Sequence, residues 1–324
     1  MFRNSFLCLA LAALLPGRVL AGTTVLKWGD TQGPTHIAVQ MIDRIAKDVS
    51  EKSGGALVIQ SYPGGQLGGS IQMIEGVQLG SQDIVTEGAA NVGQFLPAIG
   101  VMESPYVWRG AEHLEKVMSG PIGEEYNQKL ISTAGMRILG TTYYGARQLT
   151  TTSREVRGIK DMAELKVRVP ENEVFLAMAD SWGAKPTPMN FNELYLALKQ
   201  NVVDAQENPL PTIDAAKFYE VQKYLVKTFH IVTPRLCLIN EDTFRKLGDA
   251  NQRILLAGVA EGIRWNNREI LRKEAELEAV FKNQGMTIVE VDIDEFRRPV
   301  LERVVPKFEG KWGKGAWERI LSVN

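Results

Sequence analysis

Histidine is scarce in this chain: three among 324 residues, with His36, His113 and His230 in no HExxH pattern and beside no cysteine. Metal sites need ligands at such spacings, so no metal and no other cofactor is expected. No GxSxG nucleophile elbow is present either. Cysteine is limited to Cys8 and Cys237. Cys8 falls in an N-terminal apolar run, which leaves Cys237 without a partner for an internal disulfide. Its setting, Leu236-Cys237-Leu238-Ile239, reads as a buried core thiol. A charge bias is missing too: 37 basic against 38 acidic residues give a formal net charge of −1. Nucleic acid, which requires a basic face, is not an expected partner. Beyond the N-terminus no apolar run approaches the roughly 18 residues needed to cross a bilayer.

What is present begins with an export signal. Arg3 precedes the apolar stretch at residues 6–15 (FLCLALAALL), which Pro16 and Gly17 break. Val19-Leu20-Ala21 suits a signal peptidase, so residues 1–21 read as a signal peptide cleaved after Ala21, and the mature chain is expected in the periplasm. A length of 324 residues, with 44% hydrophobic and 23% charged, indicates a globular chain of two domains.

The hydrophobic pattern alternates between periods. Residues 24–28 (TVLKW) read as a strand, and residues 36–52 as a helix with Ile37, Met41, Ile45 and Val49 on one face. Strand 56–60, helix 71–79 and strand 83–86 follow, with a GGQLGG loop at residues 64–69. That loop lacks dinucleotide spacing and a following Lys-Ser/Thr pair, so it reads as a tight turn. Residues 136–142 and 147–152 read as two strands, 165–169 as another ended by Pro170, and 171–182 as a helix. Asn190 is a candidate cap for the helix carrying Leu194 and Leu198, residues 202–205 form a short strand, and a long helix covers 251–283. This order predicts an α/β protein with mainly parallel sheet, its two lobes joined by several crossings around a cleft. Trp28 and Phe191 are candidates for the cleft wall, Phe191 against ligand carbons; Trp182 reads as core.

Two arginines stand among apolar strand residues: Arg147 after Tyr143-Tyr144-Gly145-Ala146, and Arg168 between Val167 and Val169. A buried guanidinium needs a partner. That partner is either a protein carboxylate or an anionic ligand, whose carboxylate the planar fork would match.

Several long motifs occur in order: LKVRVP at 165–170, GAKPTPM at 183–189, ELYLAL at 193–198, VDAQENP at 203–209 and KFYEVQKY at 217–224, with Tyr62-Pro63 and Gln66-Leu67-Gly68 upstream. In these the chain resembles, over nearly all its mature length, the solute receptors of tripartite ATP-independent periplasmic (TRAP) transporters, in their dicarboxylate and sialic-acid branch. The resemblance implies a two-lobed periplasmic-binding-protein fold with hinge strands, an interlobe cleft and a long helix spanning both lobes. Lobe I would comprise residues 22–145 plus 234–274, and lobe II residues 146–233 plus 275–324. It implies a binding protein and not an enzyme. Arg168 would form a two-pronged salt bridge to the ligand carboxylate, Arg147 a second cationic contact, and Asn208 an amide donation. Positions that contact the sugar in sialic-acid receptors match Thr31, Gly69, Gly88, Asn91 and Arg235, and three of them lack the expected charged groups. Glu87 is a candidate substitute. Arg235 is read as meeting a second polar or anionic end, which favours a dicarboxylate, an aldarate or a uronate. The other reading pairs Arg235 with Glu87 or another acid. The implied partners are a small carboxylate and the TRAP membrane subunits. Residues 294–324 show no clear apolar seam, which favours a monomer. A periplasmic ligand sensor and an enzyme acting on organic acids are the alternatives.

Overall fold

Strand β1 (Thr24–Gly29) pairs in parallel with β2 (Leu57–Tyr62) on one side and β3 (Ile84–Gly88) on the other in the computed structural model, which describes residues 22–324. The signal-peptide reading falls on residues 1–21, outside the described residues. Helix Ile37–Lys52 buries Ile37, Met41, Ile45 and Val49, the stripe that their four-residue spacing predicts. His36 caps it, Nδ1 accepting from the Ala38 N–H at 3.0 Å. Trp28 is fully buried and donates through Nε1 to Thr86 Oγ1 at 2.8 Å. It therefore belongs to the core and not to the cleft wall, because successive strand residues face opposite sides and Trp28 takes the covered one.

Residues 136–151 correct the expectation of two separate strands. They form a single strand, β4 (Met136–Thr151), sixteen residues long. Gly140 and Gly145 lie at its bulges. Pairing with β9 (Val232–Asn240) shifts register between Ile138 and Gly140 and again between Tyr143 and Gly145. Gly145 sits at φ +125, and a side chain there would meet Pro209 Cβ at 2.6 Å. Up to Ala146, β4 pairs with β9; from Arg147 it pairs with β7 (Ala205–Pro209), and from Leu149 also with β8 (Tyr224–Lys227). Beyond β7 lie β5 (Lys166–Val169) and β6 (Lys185–Pro188), and β8 pairs with β10 (Thr287–Glu290). One ten-stranded sheet thus passes through both halves of the molecule. Its outer pairings are parallel, and every antiparallel pairing involves β4 or β9. The strand expected at 202–205 lies later, because the polar run Gln206-Glu207-Asn208 hydrogen-bonds to β4 and is buried there.

Two helices tie the halves together. Helix Gly248–Asn283 seats Gly258 and Gly262 against Val49 and Ile45, while Leu277 and Phe281 join the cluster of Phe218 and Leu225 in the other half. Helix Ile293–Trp312 buries Phe296, Val300, Val304, Phe308 and Trp312, four residues apart. This corrects the reading of the tail as lacking an apolar seam; charged residues and Pro299 and Pro306 between those positions mask it. The seam is covered by the chain itself: Trp182 Nε1 donates to the Phe296 carbonyl at 3.0 Å, and Trp312 lies beside Gly100. Trp182 is core, as its sequence setting suggested.

The halves meet face to face. Asn172 Nδ2 donates to the Ala90 carbonyl at 2.7 Å, and Gln94 Nε2 to the Glu171 carbonyl at 3.2 Å. The glycine loop makes a further contact. Gly64, Gly65 and Gly68 have positive φ, as a tight turn requires, and a Cβ on Gly65 or Gly69 would run into Asn192 or Asn190 respectively.

Candidate functional site

The cleft closes on a cavity of about 70 Å³, and its wall contains eight residues singled out in the sequence: Thr31, Glu87, Asn91, Arg147, Arg168, Phe191, Asn208 and Arg235. Gln32, Ser70, Gly88, Glu103, Tyr144, Pro170, Phe175 and Thr233 complete it. The chain reaches the cavity at strand ends. Thr31 follows β1, Glu87 and Gly88 end β3, and Arg168 and Asn208 lie late in β5 and β7. Parallel strands deliver their carboxyl ends to one crevice, which is where ligands bind in such sheets. Arg147 lies just past the crossing in β4, and Arg235 in β9.

The three arginines differ in what they touch. Arg147 is buried and clamped by Glu207: Nε donates to Oε2 at 2.5 Å and Nη2 to Oε1 at 2.8 Å. The same Nη2 reaches Asn208 Oδ1 at 3.0 Å, and the guanidinium lies 5.1 Å from the Phe175 ring centre. His230 Nε2 bonds Glu207 Oε2 at 2.9 Å from the far side. Burial would raise the Glu207 carboxyl, but Arg147 and His230 hold it below its ordinary value. A relay from Thr228 through His230 and Glu207 thus fixes the aim of Arg147.

Arg168 is just as buried, yet its Nε and Nη2 both donate to a neutral group, the Met189 carbonyl, at 2.9 and 2.6 Å. Among the described residues no carboxylate forms a salt bridge with it. Burial, with Arg147 nearby, lowers its pKa to about 10. The Phe191 ring centre lies 5.9 Å from the guanidinium carbon, so Phe191 forms an apolar wall beside the charge.

Arg235 is fully engaged. Its Nη1 and Nη2 meet the two Asp30 oxygens at 3.0 and 3.1 Å, Nη2 also donates to the Thr86 carbonyl, and Glu87 Oε1 stands 3.9 Å away. Burial pulls this guanidinium down, but Asp30 and Glu87 more than offset it and hold it above its ordinary value. Asp30 is the acid that takes the partner role; Glu87 is farther off. Glu87 is held through Oε2 by Asn91 Nδ2 at 3.2 Å and the Gly88 N–H at 3.3 Å, and Ser70 also bears on this carboxyl. Burial raises its pKa against the pull of Arg235, and its buried Oε1 is within hydrogen-bond geometry of no partner among the described residues. Thr233 Oγ1 is likewise buried and unpartnered. Tyr144 lies under Arg235, 5.0 Å from ring centre to guanidinium, and stacks on His36 at 5.2 Å. Burial lowers His36 to about 3, so it is neutral and bonds Thr212 Oγ1 at 3.1 Å.

Asp30, Glu103, Tyr144, Glu207 and His230 were not singled out in the sequence. Glu103 Oε2 accepts from the Ala90 N–H at 2.8 Å and would meet a side chain on Gly88 at 2.6 Å, which explains the glycine there. Burial raises Glu103 to about 7. Asp30 follows an apolar strand directly, a visible signal; Glu207 pairs with His230 across 23 residues and with Arg147 across 60, which leaves no local trace. Gln94 lies outside the cavity, in the groove between the halves.

A family model described as bacterial extracellular solute-binding protein, family 7, matches residues 28–310. The chain is 33% identical over 315 residues to the sialic acid-binding periplasmic protein SiaP of Vibrio cholerae, spanning 97% of this chain and 98% of that one. Among solved structures, a TRAP periplasmic solute-binding protein of Polaromonas bound to D-erythronate superposes with a TM-score of 0.88 at 33% identity, over 93% of this chain and 99% of that one. A second, from Roseobacter denitrificans with bound L-galactonate, superposes with a TM-score of 0.84 at 29% identity, over 90% and 99%. Family match, full-length relatives and a shared two-lobed fold agree: the chain belongs to the bacterial extracellular solute-binding protein family 7, the solute receptors of TRAP transport.

Proposed function

We propose that the protein, exported to the periplasm, captures a small organic acid in this cavity and delivers it to TRAP membrane subunits. The observation that carries this reading is Arg168. It is a buried guanidinium in the cavity wall whose hydrogen bonds go to a carbonyl and to no acid. An uncompensated buried charge is costly, and a ligand carboxylate would offset that cost with charge-assisted, two-pronged hydrogen bonds. Arg147 adds positive potential from an aim fixed by Glu207. Asn208 gives one amide hydrogen to Gln206 Oε1 at 2.6 Å and keeps a second for the ligand. Phe191 covers the ligand carbons beside Arg168. The lobes proposed are residues 22–145 plus 234–274 and 146–233 plus 275–324 of a monomer, and closure would set Thr31, Glu87, Asn91 and Arg235 of the first against Arg147, Arg168, Phe191 and Asn208 of the second.

Calorimetric titration of the mature chain, from Gly22, with D-erythronate, L-galactonate and a panel of other organic acids tests this. Binding of a carboxylate that Arg168→Ala abolishes, with the fold intact by circular dichroism, is the expected outcome. Carboxylate binding that survives Arg168→Ala would sink the reading.

A further inference from the structure

The cavity carries three guanidiniums, but its positive charge is confined to one end. Arg147 is neutralised by Glu207 and Arg235 by Asp30, both through paired hydrogen bonds. Arg168 alone among these three lacks an acid. The end around Arg235 also holds Glu87, 3.9 Å from that guanidinium, so it has no positive charge left over. A second ligand carboxylate there would face Glu87 and Asp30 with no free cation to receive it.

What that end does offer is unused hydrogen-bonding capacity. Asn91 and the Gly88 N–H hold one oxygen of Glu87, which leaves Oε1 buried without a partner in the cavity wall. Thr233 Oγ1 is buried and unpartnered in the same wall. A carboxylate oxygen accepts only, and a threonine hydroxyl both donates and accepts. Hydroxyl groups suit both, since a hydroxyl can donate to Glu87 and can accept from Thr233. A ligand carboxylate satisfies Thr233 but cannot donate to Glu87.

We infer that Glu87 and Thr233 read ligand hydroxyls at the end opposite Arg168, so that the ligand is a polyhydroxylated acid with one carboxylate and not a dicarboxylate. This inference rests on Arg168 as the carboxylate clamp. It makes Glu87 the specificity residue and Arg235 part of the frame that positions it.

Matched pairs that differ only at the far carbon test it. D-erythronate and meso-tartrate differ by a terminal alcohol against a carboxylate, as do galactonate and galactarate. Titration of the wild type should show the monoacid of a pair binding at least tenfold tighter than the diacid. Glu87→Gln should weaken the monoacid at least tenfold and leave the diacid unchanged or improved. A diacid that binds the wild type as tightly as its monoacid overturns the inference, and so does an acid without hydroxyls that outcompetes both through Arg168. Equal losses for both members in Glu87→Gln would make Glu87 a structural counter-ion only. The wild-type comparison stands even where the variant does not fold. Failure of every carboxylate to bind, or binding indifferent to Arg168→Ala, would instead count against the clamp itself.

Discussion

Arg168 and Arg235 are the same residue in nearly the same setting, each buried in a strand of the cavity wall, yet their partners are opposite. Arg235 has an aspartate on both prongs and a glutamate behind it; Arg168 has one backbone carbonyl. A buried ion pair adds little net stability but is expensive to break, whereas a buried cation without an acid stores a cost that a ligand anion can relieve. The chemical identity of a residue therefore does not tell frame from binder. The pairing state does.

That contrast can be broken from either side. The largest effect is expected at the paired end: Asp30→Ala strands Arg235 and should cost about 4 kcal/mol of stability, read as a large fall in melting temperature. A fall of a degree or two would mean that the pair is not what holds this end. At the other end, Arg168→Ala should leave the melting temperature nearly unchanged or raise it. It should weaken the ligand by about 3–4 kcal/mol, some 300-fold in Kd by titration. Should stability collapse instead, Arg168 belongs with Arg235 as frame.

The pH dependence sharpens the comparison for the carboxyl groups. Glu103 titrates at about 7 when folded against 4.5 as its ordinary value. The folded chain keeps that proton when the unfolded chain has lost it, so its contribution is fully present below 4.5 and is lost as pH rises to 7. His36, at about 3 against 6.5, acts in the opposite sense, adding stability as pH rises from 3 to 6.5. Glu103→Gln removes only the first trend and should gain at most about 3 kcal/mol over the wild type at pH 8, in urea melts taken across pH. Identical pH profiles for the two proteins would contradict it. The smallest effect concerns the meeting of the halves. Gly69 has an ordinary backbone conformation; a Cβ there would meet Gln72 Oε1 at 2.8 Å within its own half and Asn190 Oδ1 at 2.4 Å where the halves touch. Gly69→Ala should cost about 1 kcal/mol of ligand affinity, near fivefold in Kd, with a smaller loss in the free protein, where the flexible Gln72 side chain can move aside. An equal loss in the free protein would place the strain within one half.

Much of this was legible in the sequence where the signal was local. The stripe Ile37, Met41, Ile45, Val49 and the core setting of Cys237 follow from periodicity, and both are buried. Arg147 and Arg168 stood out because charges between apolar strand residues need an explanation. Which of them carried an acid did not, since Glu207 is 60 residues from Arg147 and Asp30 is 205 from Arg235. Strand β4 was divided in the reading, and only tertiary pairing shows that Gly145 lies at a bulge. The seam of helix Ile293–Trp312 was hidden by the charges and prolines set between its buried positions. A lone unpartnered oxygen such as Glu87 Oε1 has no sequence signature at all.

Strand β4 serves both halves without interruption, and Arg147 is the first residue past its change of partners. The crossing between the halves and the cavity wall are therefore one piece of backbone. Any torque that parts the halves is delivered along that strand to a side chain inside the cavity, so prising the molecule apart also retunes its grip. On the proposed role, unloading would not wait for a solute to leave by chance; holding the two halves at a different angle would drive it.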